Sequence, residues 1–218
     1  MKILVKFPVR GRVEKFFTTF DRYHEMAENK DQMRFIVTCD TDDDKMNNPE
    51  VAGRIKLYSN TEYQCLDNKN KVEAVNNGIP KDGYDIILLA SDDMIPVVTG
   101  YDEIIRQLFI KYFPDTDGVT WFNDGLQENR LNTLCILGRK YYERFGYIYH
   151  PSYKQLYSDN EFTFVSKKIG KVVYIKEVII EHRHPSLTNT KDEMNFRDDK
   201  FIDEDKENLF KRMKNNFN

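Results

Sequence analysis

Residues Ile86 to Ala90 read IILLA, an unbroken apolar run with Asp85 before it and Ser91-Asp92-Asp93 after it. The run has the length of a strand, and a strand that is apolar on both faces must be covered on both faces. An α/β layering, with helices above and below a mainly parallel sheet, supplies that cover. The rest of the first half carries the matching alternation. Lys2 to Phe7 reads as a first strand, and Val13, Phe16, Phe17, Phe20, Tyr23 and Ala27 then recur at helical spacing. Arg34 to Cys39 is a second strand running into the acidic stretch TCDTDDD, and Arg54 to Tyr58 is expected to be a third. Lys71 to Asn77 is predicted helical, closed by Gly78 and Pro80, ahead of the fourth strand, Asp85 to Ala90.

The second half is less regular. A helix from Tyr101 presents Ile104, Ile105, Leu108, Phe109, Tyr112 and Phe113 to a core and ends near Pro114. Strands Gly118 to Asn123 and Thr133 to Leu137, helices Arg139 to Phe145 and Asp159 to Lys168, and a strand Val172 to Glu181 follow in mixed order. From Asp192 the chain is heavily charged but keeps Phe201, Leu209, Phe210, Met213 and Phe217, which predicts a terminal helix lying across the domain. A length of 218 residues suits one domain, divided here into an α/β half over 1–100, a mixed half over 101–185 and a tail over 186–218.

Composition narrows the function classes. A net charge of -3 gives no global attraction to nucleic acid, and no apolar run approaches a membrane span. The start MKILVKFPVR reads as a strand rather than a signal peptide, so a soluble, cytoplasmic, non-secreted protein is expected. Cys39, Cys65 and Cys135 lie far apart in sequence without a CxxC pair, which indicates a reducing compartment and no cysteine framework. Neither a GxxxxGK[ST] loop nor a GxGxxG fingerprint is present, so the readings that need them lose their main support.

Four clusters carry chemistry. Asp92 and Asp93 directly follow the buried strand, where ligands of open α/β sheets bind, and paired carboxylates there call for a compensating cation. Read alone, Ser91-Asp92-Asp93 also suits a helix N-cap followed by a solvated acid. In Tyr157-Ser158-Asp159-Asn160-Glu161-Phe162 a carboxylate at a helix start can be aimed from a rigid element as a general base; Asp159 is the first choice and Glu161 the alternative, with capping as the structural reading. His182 and His184, in the segment ending at Pro185, share a face at i and i+2, and either imidazole suits a metal site; His182 is preferred. Trp121, Asn123 and Asp124 form an aromatic and polar cluster of the kind that holds sugar rings, although Trp121 equally suits a core. Tyr141, Tyr142, Tyr147, Tyr149 and Tyr153 divide between core and groove in the same way.

The stretch from Asn68 to Ile105 resembles the donor half of family 2 glycosyltransferases. That family places a helix of the type N-x-G-x-x-x-A-x-N-x-G before a strand ending in an acidic metal motif, and Asn68, Ala74, Asn76 and Gly78 stand at matching positions. Two departures are visible: Asn70 replaces a glycine, and Leu89-Ala90-Ser91-Asp92-Asp93 lacks the first acid of L-D-x-D-D. The resemblance extends to Phe7-Pro8-Val9-Arg10, to Asp40 and to Tyr157 through the turn at Gly170. It implies a GT-A-like fold with a donor half over 1–100 and an acceptor half over 101–185. It assigns Pro8, Arg10, Asp40, Lys71 and Asp92 to the nucleotide-diphosphate sugar, with Lys69 as a possible addition, and Asp92, Asp93, His182 and His184 to Mn²⁺ or Mg²⁺. Trp121, Asn123 and Asp124 fall to the acceptor, and Asp159 or Glu161 to base catalysis of an inverting transfer. A carboxylate at Asp40 weakly favours a uridine donor, and the acceptor is a glycan, lipid or protein. Two other readings remain: a sugar nucleotidyltransferase, for which Gly11-Arg12-Val13-Glu14-Lys15 is a poor phosphate loop, and a non-catalytic nucleotide- or glycan-binding module with a decayed site.

Overall fold

A computed structural model of the chain describes residues 1–184 and 200–217. Helices cover both faces of a mixed, mostly parallel sheet. The strands are β1 (Ile3–Pro8), β2 (Met33–Asp40), β3 (Thr61–Leu66), β4 (Ile86–Leu89), β5 (Met94–Pro96), β6 (Val119–Phe122), β7 (Ile136–Gly138), β8 (Val172–Ile175) and β9 (Ile180–His182). The helices are α1 (Val13–Glu25), α2 (Pro49–Ile55), α3 (Lys71–Asn76), α4 (Tyr101–Tyr112), α5 (Arg139–Phe145), α6 (Ser158–Lys168) and α7 (Ile202–Lys214). Among the described residues the main sheet has the order β3-β2-β1-β4-β7-β6-β8, and β5 pairs with β9 in a separate antiparallel ribbon. Strands β3, β2, β1 and β4 are mutually parallel, and β7 runs against both β4 and β6.

The IILLA strand is as buried as its sequence demands: Ile86, Ile87 and Leu88 are fully enclosed. Ile86 and Leu88 join the aromatic cluster of Phe7, Phe16, Phe20, Tyr23 and Phe35, into which α1, α2 and α4 pack. Ile87 and Leu89 join Leu4, Val72, Val75, Tyr141 and Phe162 on the opposite face, under α3, α5 and α6. Period-two alternation along one strand thus divides the apolar residues between two helical layers. Among the described residues no helix is long and apolar enough to cross a membrane.

Three element assignments change. Arg54 to Tyr58 is not a strand: Asn48 accepts the Val51 amide at 3.0 Å and Pro49 opens helix α2, so Arg54 and Ile55 are its last turn. The third strand is Thr61–Leu66 instead. Val172 to Glu181 splits into β8, which lies beside β6, and β9, which pairs with β5. The strand expected from Thr133 begins only at Ile136. Pro185 and the 186–199 part of the predicted tail lie outside the described residues; the terminal helix is α7.

Candidate functional site

A cleft of about 320 Å³ opens at the carboxyl ends of β1, β2 and β4, where an open α/β sheet places its ligands. Pro8 enters it from the end of β1, Arg10 from the loop that follows, Asp40 from the end of β2, and Ser91, Asp92 and Asp93 from the turn after β4. Lys69, Asn70 and Lys71 contribute the start of α3, Asp159 the first turn of α6, and His182 and His184 the end of β9.

Local structure explains each placement. Asn70 is the N-cap of α3: its Oδ1 accepts the Glu73 amide at 2.9 Å, while Glu73 reaches back to the Lys69 amide at 2.9 Å. The departure from glycine therefore serves a cap. Asn76 holds the 148–149 segment, accepting both backbone amides and donating to the Tyr149 carbonyl at 2.7 Å. Gly78 turns at φ +79°, a conformation that favours glycine. Asp92 and Asp93 do not cap a helix: strand β5 follows the turn, and its ribbon partner β9 brings His182 opposite Met94. The Arg183 amide then donates to the Asp93 carbonyl at 2.7 Å.

The two aspartates differ in environment. Asp92 faces Arg12 at 3.3 Å and Lys15 at 3.5 Å; burial raises its proton affinity against those two cations. Burial acts on Asp93 in the same sense, but His182 and the Ser91 hydroxyl outweigh it and hold Asp93 well below the usual carboxylate range. His182 sits between two carboxylates, with Nδ1 3.3 Å from Asp124 and Nε2 3.6 Å from Asp93. Burial pulls its imidazole down, yet Asp124 and Asp93 push it up to about 9.

Asp93 and His182 offer the carboxylate and imidazole types that divalent ions take. Among the described residues no group of three or more His, Cys, Asp or Glu side chains stands in a position to hold a metal ion. The 3.6 Å between His182 Nε2 and Asp93 Oδ2 is too long for a good hydrogen bond, and it matches the span of two ligands each about 2 Å from one small cation. Asp124 faces the far ring nitrogen, the position in which metal-binding histidines in general carry an outer carboxylate. The His184 ring lies 5.4 Å from that of His182.

At the β1–β2 end of the cleft, Arg10 bridges Asp40 at 2.7 Å and Asp42 at 2.6 Å, and Asn68 donates to the other oxygen of Asp40 at 2.9 Å. Sequence reasoning gave no role to Arg12, Lys15, Thr133, Gln155 or Phe201, yet Lys15 meets Asp92 and the other four line the cleft. It also missed Lys6, a fully buried lysine whose Nζ donates to Thr38 at 2.5 Å; burial lowers it to about 7, against the opposing pull of Asp40. The charged Gly11-Arg12-Val13-Glu14-Lys15 stretch was the available signal for the first two.

Four predicted residues lie elsewhere. Glu161 is 4% exposed and locked by Arg212 at 2.6 and 2.7 Å and by the Tyr153 hydroxyl at 2.9 Å, so it is not placed to act as a base. Trp121 is 2% exposed, with Tyr174 at its edge and Lys167 over its ring, and belongs to the core rather than to an acceptor groove. Asn123 accepts the Gly125 amide, a local turn contact. Asp124 is buried and accepts the amides of Leu126 and Gln127 and the Thr133 hydroxyl besides facing His182, so it organises the site from behind. Of the tyrosines, Tyr149 lines the cleft while Tyr141 and Tyr153 are buried in the core.

Solved structures share this fold. PcManGT, a mannosyltransferase from Pyrobaculum calidifontis solved with GDP-Man and Mn²⁺, matches with a TM-score of 0.66 at 12% identity, over 84% of this chain and 56% of its own. Residues 1–349 of S. aureus TarS match with a TM-score of 0.67 at 12% identity, over 85% of this chain and 61% of theirs. The fold is of the GT-A type. The UDP-GlcNAc complex of TarS matches at 13% identity and a TM-score of 0.66, over 83% of this chain and 58% of its own. The chain thus spans little more than half the length of these GT-A structures. No family profile and no curated protein matches the sequence.

Proposed function

We propose that this chain is an inverting glycosyltransferase that moves a sugar from a nucleotide-diphosphate donor to an acceptor hydroxyl with the help of a divalent ion. The observation that carries the reading is the convergence of Arg10, Asp40, Lys71, Asp92, Asp93, Asp159 and His182 on one cleft at the end of a GT-A-type sheet. Nucleotide sugars in the PcManGT and TarS structures, and Mn²⁺ in the former, support it. Residues 1–100 form the donor half in this reading. Asp40 and Arg10 receive the base, and Lys69 and Lys71 lie along the phosphates. Asp93 and His182, with Asp92 beside them, would hold the ion, which supplies positive charge to the departing diphosphate.

Asp159 performs the proton transfer. Burial raises its proton affinity, with Lys71 opposing, so it is a stronger base near neutrality than a solvated aspartate. The acceptor oxygen bonds to the anomeric carbon as its proton passes to Asp159, and the bond to the diphosphate oxygen breaks on the opposite face. Ala90, buried where family 2 enzymes carry their first acid, favours a second reading: a module that binds the nucleotide without turnover. Isothermal titration of UDP, GDP and CDP, with and without Mn²⁺, against wild type and Asp93→Ala separates them. Metal-dependent binding of one diphosphate that weakens at least tenfold in the variant, with donor turnover in the wild type, is expected. Binding without turnover of any donor leaves the module, and no binding of any diphosphate overturns both.

A further inference from the structure

Cysteines that are 26 positions apart in sequence meet in the fold. Cys39 is the last but one residue of β2, just before Asp40, and Cys65 is the last but one of β3; the two are direct partners in the parallel register. Parallel neighbours lie about 4.8 Å apart, inside the Cα separation of 4.4–6.8 Å that a disulfide accepts. Directly paired residues point to the same face, and the two Sγ atoms are 2.7 Å apart. Cys65 is partly exposed and donates to the Asn47 side chain at 3.2 Å. Cys39 is 1% exposed and accepts from the Tyr63 hydroxyl at 3.0 Å. Distance along the chain thus hides a pairing in the fold, and Cys135 alone of the three is buried on the opposite face of the sheet.

We propose that Cys39 and Cys65 form a reversible dithiol–disulfide couple, oxidised by a peroxide, that staples the tips of β2 and β3 beside Asp40. The inference goes beyond the transferase reading and stands or falls without it. The partly exposed sulfur of Cys65 attacks one peroxide oxygen, the O–O bond breaks, and the departing hydroxide takes the thiol proton to leave as water. The sulfur of Cys39 then attacks the sulfenic sulfur of Cys65. An S–S bond forms, the S–O bond breaks, and the second hydroxide leaves as water with the Cys39 proton. Two electrons pass from the two sulfurs to the peroxide, and a dithiol reductant returns them. Burial and the neighbouring Cys65 thiol push the Cys39 thiol up to about 12, so Cys39 keeps its proton at neutral pH and acts as the resolving partner rather than the first target.

The test exposes the full chain to hydrogen peroxide at pH 7.5, alkylates the remaining thiols and maps the peptides by mass spectrometry, with and without dithiothreitol. One intramolecular link between the Cys39 and Cys65 peptides is expected, lighter than the dithiol by two hydrogen atoms and reversed by reductant, with Cys135 still alkylated. Cys65→Ser, at the partly exposed position, should abolish the link, and Cys135→Ser should leave it intact. Cys65 running on to the sulfinic acid while Cys39 stays alkylatable, or cross-linking only between molecules, would overturn the proposal.

Discussion

Helix α6 presents Asp159 to the cleft and Glu161, two positions on, to helix α7, and the two carboxylates are treated in opposite ways. Glu161 has both oxygens taken by Arg212 and one shared with the Tyr153 hydroxyl. Asp159 accepts the neighbouring Asn160 amide at 2.9 Å and lines open space. The contrast extends to the regions around them. On the α7 side Asp205 is fully buried and accepts three backbone amides, those of Lys154, Gln155 and Leu156. In the cleft Asp92 meets cations at 3.3 and 3.5 Å, distances looser than a saturated pair. Glu161 and Asp205, with their lone pairs filled by the fold, hold the fold together, and Asp159 and Asp92, left under-filled, are open to a ligand.

Substitutions test that division, beginning with Asp159→Asn. Loss of the base should cut transfer by roughly 10²- to 10⁴-fold while nucleotide affinity stays within about threefold. The raised proton affinity of Asp159 should place the acid limb of the wild-type rate profile above the ordinary carboxylate range, because activity appears only as that group deprotonates. Unchanged turnover would break the contrast with Glu161. Glu161→Gln should leave nucleotide binding intact and lower stability by roughly 2–3 kcal/mol, less than a fully buried pair would lose because Arg212 keeps some solvent contact. Thermal melting reads this as a fall of roughly 5–10 °C.

Asp124→Asn sharpens the boundary, since Asp124 is saturated yet stands behind a cleft residue. Its loss should weaken Mn²⁺ binding about 10- to 100-fold in a titration that needs no turnover. The smallest effect is expected at Lys6, whose Lys6→Met variant should gain about 1–2 kcal/mol, an uncharged chain replacing a desolvated ammonium. Its folded value of about 7 lies below the ordinary lysine range, so the unfolded chain binds more protons between about pH 7 and 10. Stability from this group therefore rises with pH across that window, and the rise should vanish in the variant; a persisting slope would assign it to another group.

Local chemistry made the cleft's inner wall legible. The Ile86 to Ala90 run announced a strand buried on both faces, and the acids after it could only emerge at a strand end. The errors at the site have one physical source, which is partners supplied from far along the chain. Nothing near Glu161 announces Arg212, 51 positions away, and nothing near Asp124 announces His182, 58 positions away. Arg54 to Tyr58 differs for a local reason instead: Asn48-Pro49 is a helix start, and the helix it opens runs through Ile55.

The grip of Asp205 on residues 154–156 also imposes an order in time. Gln155 and Leu156 form part of the cleft wall, and the carboxylate that orders them lies 50 and 49 positions downstream. On the ribosome that wall therefore emerges well before its anchor. Until α7 has been made and docked, water must serve those three amides, so the nascent chain can assemble its sheet before its cleft wall is fixed.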